Sequence, residues 1–263
     1  MATKLSEDDL LCIFDFFYND RDLRSLCLCC KLFNQLLQPR LFYRIALFLR
    51  KDPRQKSTSF WTFGRLLKRS PHLACYPRQV KITLGFRVTE DMLFVLAALT
   101  GKSVSFVELT TDGYKWASPT LKRAVETFLR DTITPLNVNL SGLQGLSASC
   151  LHLTRDVILY DCVIDSTSTP STCGANTLSI RGLGRYISFG ALFSNVLPSL
   201  THLMLMWEPP LGEPGGWYAD LGPALANMPK LVLLTVDYCG KHVDFYFKHI
   251  LQPRRFSRWL HQT

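Results

Sequence analysis

The chain has 263 residues, 47% of them hydrophobic and 19% charged, a composition that excludes intrinsic disorder as its general state. Its formal charge of +9 is concentrated between Arg40 and Lys81, where Arg44, Arg50, Lys51, Arg54, Lys56, Arg65, Lys68, Arg69 and Arg78 also lie, opposed by Asp52 alone. The longest pure apolar run, Met92 to Leu99, is too short to span a bilayer, and the partly acidic start from Met1 to Asp9 has no secretory pattern. A cytosolic or nuclear location is therefore expected, with no membrane partner.

In chain order, the first element is the most informative. Leu10, Ile13, Phe14 and Phe17 recur at the spacing of one helical face, and Leu11, Phe16 and Tyr18 cover much of the remainder. A helix apolar nearly all round must be buried nearly all round. The segment Asp22 to Ile45 adds two shorter helical patterns, and a piece of about 45 residues is near the lower limit for hiding its own core. Part of this surface is expected to be covered by another molecule.

Leu5, Leu10-Leu11-x-Ile13-Phe14-x-Phe16-Phe17, Asp22-Leu23-x-x-Leu26-x-x-Cys29-Cys30-Lys31-x-Phe33-x-x-Leu36 and Pro39-x-Leu41-Phe42 follow one another in an order and spacing that resembles the F-box. Two positions depart from the family. Ser6 replaces the proline that usually follows the first leucine, and Phe33 and Phe42 stand for its tryptophans. Ser6 is suited to cap the first turn, with Asp9 three residues on. The resemblance implies that Leu5, Leu10, Ile13, Phe14, Leu23, Leu26, Cys30, Phe33 and Leu41 help dock the chain on the Skp adaptor, and through it on the cullin of a ubiquitin ligase. An F-box scaffold working outside a ligase is the alternative.

Next comes a basic linker and a capping helix, Phe60-Trp61-x-Phe63-x-x-Leu66-Leu67, ended before Pro71 because the residue preceding a proline disfavours helical geometry. Its run into Val80-Lys81-Ile82 is similar to the join between F-box and repeats in F-box proteins of mushroom-forming fungi. A basic patch of this kind could attract nucleic acid, but no aromatic-basic interleaving accompanies it, so nucleic acid is not expected.

Past residue 78 an apolar-x-apolar strand core recurs: Val80/Ile82, Val107/Leu109, Val138/Leu140, Val157/Leu159, Leu178/Ile180, Leu203/Leu205 and Leu234/Val236. The intervals, 19 to 31 positions, bracket a leucine-rich repeat irregularly. Helical spacing fills Glu90 to Leu99, Pro119 to Leu129, Tyr186 to Val196 and Asp220 to Met228. The predicted fold is α/β: a three-helix F-box at residues 1–49, a linker and capping helix at 50–78, an irregular repeat solenoid with a parallel sheet at 79–244, and a capping helix or tail at 245–263.

Between the paired apolar positions, Lys81, Glu108, Asn139, Ile158, Ser179, Met204 and Thr235 should form an outward row, with Tyr160, Arg181, Met206 and Asp237 beside it. Ile158, Tyr160, Arg181, Met204, Met206, Trp207 and Trp217 are the candidate contacts for a target protein, Trp217 closing the Pro- and Gly-rich loop that starts at Glu208.

Nine cysteines are expected to be reduced and, in the helical module, buried by packing. The short pairs Cys27-x-Cys29, Cys150-x-His152 and Cys239-x-x-His242 lack mates at zinc spacing. No phosphate loop, nucleophile elbow or metal-binding His-Glu helix occurs, so neither catalysis nor a cofactor is expected.

Overall fold

The structure, a computed structural model, describes residues 5–17, 19–48, 58–85, 87–111, 116–131, 136–151, 154–165, 175–181, 200–207, 225, 228–238 and 241–246. The protein is α/β. Three helices lead into one sheet whose strands alternate, over its first half, with further helices.

Helix α1, Glu7–Phe14, begins at a reciprocal cap. The Ser6 hydroxyl oxygen accepts the Asp9 N–H at 3.1 Å, and the Asp9 carboxylate accepts from the Ser6 N–H at 3.0 Å and from its hydroxyl at 2.7 Å. The apolar spacing runs on to Phe17, yet the helix stops at Phe14. The amides of Phe16 and Phe17 turn back onto the carbonyls of Ile13 and Phe14, which tightens the last turn. Arg40, far along the chain, donates to the Leu11 carbonyl at 3.4 Å and pairs with Asp15. A cation at a helix C-terminus is favourable, and α1 has none of its own there.

Helix α2, Asp20–Cys27, is capped by the Asn19 side chain, which accepts the Arg21 N–H at 2.9 Å. Helix α3, Lys31–Leu41, starts where the Cys30 sulfur accepts the Phe33 N–H at 3.4 Å. Leu10, Phe14, Leu23 and Leu37 are the buried centre of this three-helix unit. Leu26, Phe33, Leu36 and Leu41 pack around them, with the Phe33 ring edge-on to Phe14 at 5.1 Å.

Strand β1, Arg44–Phe48, follows α3 after Phe42 and Tyr43. The sheet therefore begins at Arg44, inside the segment read as helical module, and not at residue 79. Ile45 and Leu47 repeat the apolar-x-apolar pattern and sit in register with Val80 and Ile82 of β3, Gln79–Leu84. A short strand β2, Thr58–Ser59, pairs with the end of β1 and runs into α4, Phe60–Arg69, and a 3₁₀ turn, Pro71–Cys75. Phe42 packs on Phe63 at 6.4 Å and Gln38 meets His72 at 3.3 Å, so the helical unit is joined to the sheet by side chains as well as by chain.

The remaining elements are α5 (Glu90–Leu99), β4 (Phe106–Thr111), α6 (Pro119–Arg130), β5 (Leu136–Ser141), β6 (Gln144–Ser147), β7 (Thr154–Tyr160), β8 (Val163–Asp165), β9 (Thr177–Arg181), β10 (His202–Trp207), β11 (Leu233–Tyr238) and β12 (Lys241–Tyr246). Ten strands form the main sheet in the order β2-β1-β3-β4-β5-β7-β9-β10-β11-β12, every neighbouring pair parallel except the last. Strands β6 and β8, which the sequence reading missed, pair in a small sheet of their own. The closing strand β12 takes Phe245 and Tyr246 into the sheet, where a capping helix or tail had been expected.

All seven predicted apolar pairs are on strands and buried. They stack in register as two ladders, one running Ile45, Val80, Val107, Val138, Val157, Leu178, Leu203, Leu234 and the other Leu47 through Val236. Against them lie Phe60, Phe63 and Leu67 of α4, Met92, Val95, Leu96 and Leu99 of α5, and Leu121, Val125, Phe128 and Leu129 of α6. Helix boundaries follow their caps: Ser59, Thr89 and Ser118 each accept an N–H of the first turn.

A backbone device recurs at the strand entries. The carbonyls of Tyr43, Arg78, Asn176 and Thr201 each accept two consecutive amides of the next strand entry, as Arg78 does from Ser105 at 2.8 Å and Phe106 at 3.0 Å. This fixes the stagger between neighbouring strands independently of side-chain identity. Gly142 closes β5 at φ +72°, and a Cβ there would stand 2.9 Å from Thr111 Oγ1. Gly142→Ala is expected to cost about 1–3 kcal/mol, from left-handed strain plus the clash. Chemical denaturation of the two forms measures it.

The helices predicted at Tyr186 to Val196 and, but for Leu225 and Met228, at Asp220 to Met228 lie outside the described residues. So do the Glu208 to Trp217 loop and the tail beyond residue 246.

Candidate functional site

Exposed large apolar side chains crowd into one region. Of the eleven among the described residues, six (Leu5, Ile13, Phe16, Phe17, Leu28 and Leu32) belong to the three-helix unit. Leu28, the C-cap of α2, is 87% exposed, and Phe16, just past α1, is 79% exposed. Covering a fully exposed side chain of this kind contributes roughly 1.5–3 kcal/mol, and the partly covered Ile13, Phe17 and Leu32 would contribute less.

The nine residues expected to dock an adaptor divide by burial. Leu10, Phe14 and Leu23 are inside the unit's own core. Leu26, Phe33 and Leu41 are half-buried against that core, Cys30 is exposed at the α3 N-cap, and Leu5 and Ile13 are exposed. The division has a physical cause: with few residues to build a core, the unit packs its best helical face on itself and leaves flanking positions bare. Phe16, Phe17, Leu28 and Leu32 are exposed too, though the sequence reading gave them no site role. Leu28 follows the half-buried Leu26 and Cys27 in an unbroken apolar stretch, and that run was the available signal.

The cap at the start of α1 is pH-sensitive. Asp9 is held below its ordinary carboxyl value of 3.8, first by its hydrogen bond from the Ser6 hydroxyl and then by that from the Ser6 N–H, with weak desolvation opposing. A group with a depressed folded pKa contributes stability above its unfolded value and loses it as pH falls through the folded one. Fraying of α1 is therefore expected only below about pH 4, and Ser6→Ala should return the Asp9 titration toward the ordinary value. A carboxyl-resolved NMR titration of both forms checks this.

Thiols of Cys12, Cys29 and Cys30 are exposed, which corrects the expectation that packing buries them. Cys150 and Cys162 are buried, and burial pushes the Cys162 thiol up to about 11 against the pull of hydrogen bonds from backbone amides. Cys162 is thus an un-ionised packing residue at neutral pH. Among the described residues no three His, Cys, Asp or Glu side chains gather in a metal-ligand cluster.

Among the described residues, five basic side chains of this segment contact the protein itself. Arg40 pairs with Asp15, Lys68 with Asp91 at 3.1 Å, and Lys81 with Glu108 at 2.6 Å. Arg78 donates to the Ser103 carbonyl at 2.6 Å, and Arg65 lies over the Trp61 ring at 4.6 Å. Arg50, Lys51, Arg54 and Lys56 lie outside the described residues.

On the sheet face opposite α4, α5 and α6, register aligns Lys81, Glu108, Asn139, Ile158, Ser179, Met204 and Thr235 as neighbours across seven strands. One step further along the strands, Ser141, Tyr160, Arg181, Met206 and Asp237 are neighbours too. Tyr160 and Arg181 are exposed, while Ile158, Met204 and Met206 are half-buried. Ser179 and Thr235 are buried, against the expectation of an open row. Of the other predicted contacts, the Trp207 side chain and Trp217 lie outside what the structure describes. No helix among the described residues is long and apolar enough to cross a membrane. Compared with known proteins, the chain matches no family model and no curated protein.

Proposed function

We propose that the chain is the substrate-recognition subunit of a Skp–cullin–F-box ubiquitin ligase, in which residues 5–41 are the F-box and the parallel sheet is an irregular leucine-rich-repeat solenoid that carries the target. The concentration of bare apolar side chains on the three-helix unit carries the reading: among the described residues it buries Leu10, Phe14, Leu23 and Leu37 and leaves six large apolar side chains exposed. The in-register ladders and strands laid down in chain order support the repeat reading. In this role the chain does no chemistry. It holds a target beside the reactive thioester, so that an encounter between separate molecules becomes nearly intramolecular.

Co-purification of the full chain with tagged Skp adaptor and cullin tests it. Recovery of both is the expected result. Adaptor without cullin would leave a scaffold outside the ligase, and recovery of neither removes the F-box assignment.

A further inference from the structure

Three of the nine cysteines fall within four residues where α2 gives way to α3, and their sulfurs are held differently. Cys27, the last residue of α2, is half-buried, and burial pushes its thiol up. Cys29 is exposed, and its S–H donates to the Ser25 carbonyl at 3.4 Å. Cys30 is exposed too, but its sulfur accepts, taking the Phe33 N–H at 3.4 Å at the start of α3. Among the exposed thiols of the described residues, Cys30 alone accepts a backbone amide. The charged residues in the last turn of α2 and the first turn of α3 are Arg24 and Lys31, both basic. The thiolate is the nucleophile in sulfur exchange, and a donated amide, a helix N-terminus and nearby cations all favour negative charge on sulfur.

We propose that Cys30 is a thiol–disulfide exchange site that takes a mixed disulfide from a small disulfide of the glutathione class. The Cys30 thiolate attacks one sulfur of the oxidised tripeptide, and a new bond joins that sulfur to Sγ as the old sulfur–sulfur bond breaks. The second tripeptide leaves as a thiolate and takes up the proton that Cys30 gave to solvent. Cys30 is oxidised and the leaving half is reduced, so the electrons balance. Its neighbours in the cluster do not resolve the product. Cys29 and Cys30 have adjacent Cα atoms ~3.8 Å apart, short of the roughly 4.4–6.8 Å that a disulfide spans. Cys27 packs on the core of the helical unit and holds its proton. The mixed disulfide therefore waits for a thiol from solution, which makes the modification reversible. In the chain it stands between the exposed Leu28 and Leu32, where it adds two carboxylates and an ammonium to an apolar surface. Masking of that surface from the adaptor rests on the docking reading above, whereas the exchange itself does not.

The full chain, reduced and then incubated with oxidised glutathione, is read by intact mass and peptide mapping. A single glutathione is expected, on Cys30, and dithiothreitol should remove it. Cys30→Ser should slow the uptake at least about fivefold, while Cys29→Ser should leave it within about twofold. Serine keeps an acceptor at the α3 N-cap, so hydrogen exchange in α3 should be unchanged and folding is not the cause. The proposal is overturned by uptake spread evenly over Cys12, Cys29, Cys30 and Cys75, by uptake unchanged in Cys30→Ser, or by a loss of two hydrogens that marks a Cys27–Cys30 disulfide. Capture by tagged Skp adaptor is a separate arm, expected to fall at least about tenfold in the modified chain and to return on reduction. Equal capture in both states overturns the masking. A reduced chain that never captures the adaptor overturns the ligase reading and leaves the exchange site standing.

Discussion

Phe14→Ala is expected to melt the three-helix unit while the sheet stays folded. Phe14 is 2% exposed, is one of four buried residues and meets Phe33 edge-on. Truncating a buried phenylalanine costs about 3–5 kcal/mol, and a domain carries roughly 0.05–0.15 kcal/mol of stability per residue, so a unit of this size has little more than that to lose. The same truncation within the large sheet core would be survivable. Hydrogen exchange reads the difference: amides of α1, α2 and α3 should lose protection in the variant while those of β3, β4 and β5 keep it. Equal loss in both regions would show that helices and sheet unfold as one.

Ile13→Asp combined with Leu28→Asp is the complementary experiment. Both side chains are exposed in the free chain, so the fold should tolerate them, with protection in α1 and α2 unchanged. If the proposed docking on the Skp adaptor is right, capture should weaken at least about tenfold, because two apolar side chains at the contact are replaced by carboxylates that resist burial. Undiminished capture would move the docking surface elsewhere. The pair of variants separates positions that helical spacing merges: Phe14 is buried inside the unit, and Ile13, one residue earlier, is exposed.

Why the sequence merges them is instructive. Helical spacing places Ile13 and Phe14 on one apolar face, but it does not say which part of a wide face meets α2 and α3 and which part meets nothing. Where α1 stops was equally hidden, since the groups that finish it are Asp15 and the distant Arg40. The start of α1 was legible, because Ser6 and Asp9 are both local. Strand alternation was legible for the same reason, and it aligned the outward row from Lys81 to Thr235 before any pairing was seen. Ile45-x-Leu47 carried that alternation too, yet its nearness to the helical module hid it. The small sheet of β6 and β8 has no repeating apolar pair to announce it. Ser179 is buried, and its neighbours in register, Ile158 and Met204, come from different stretches of chain.

Phe42 and Tyr43 alone separate α3 from β1, and the Phe42–Phe63 and Gln38–His72 contacts brace the join. From β1 the strands then add sideways at about 4.8 Å each, so Arg181 on β9 stands five steps, ~24 Å, from the strand that leaves the helical unit. The sheet is thus a graduated ruler: distance along it comes in whole-strand increments, and one added strand would shift every later position by a single step.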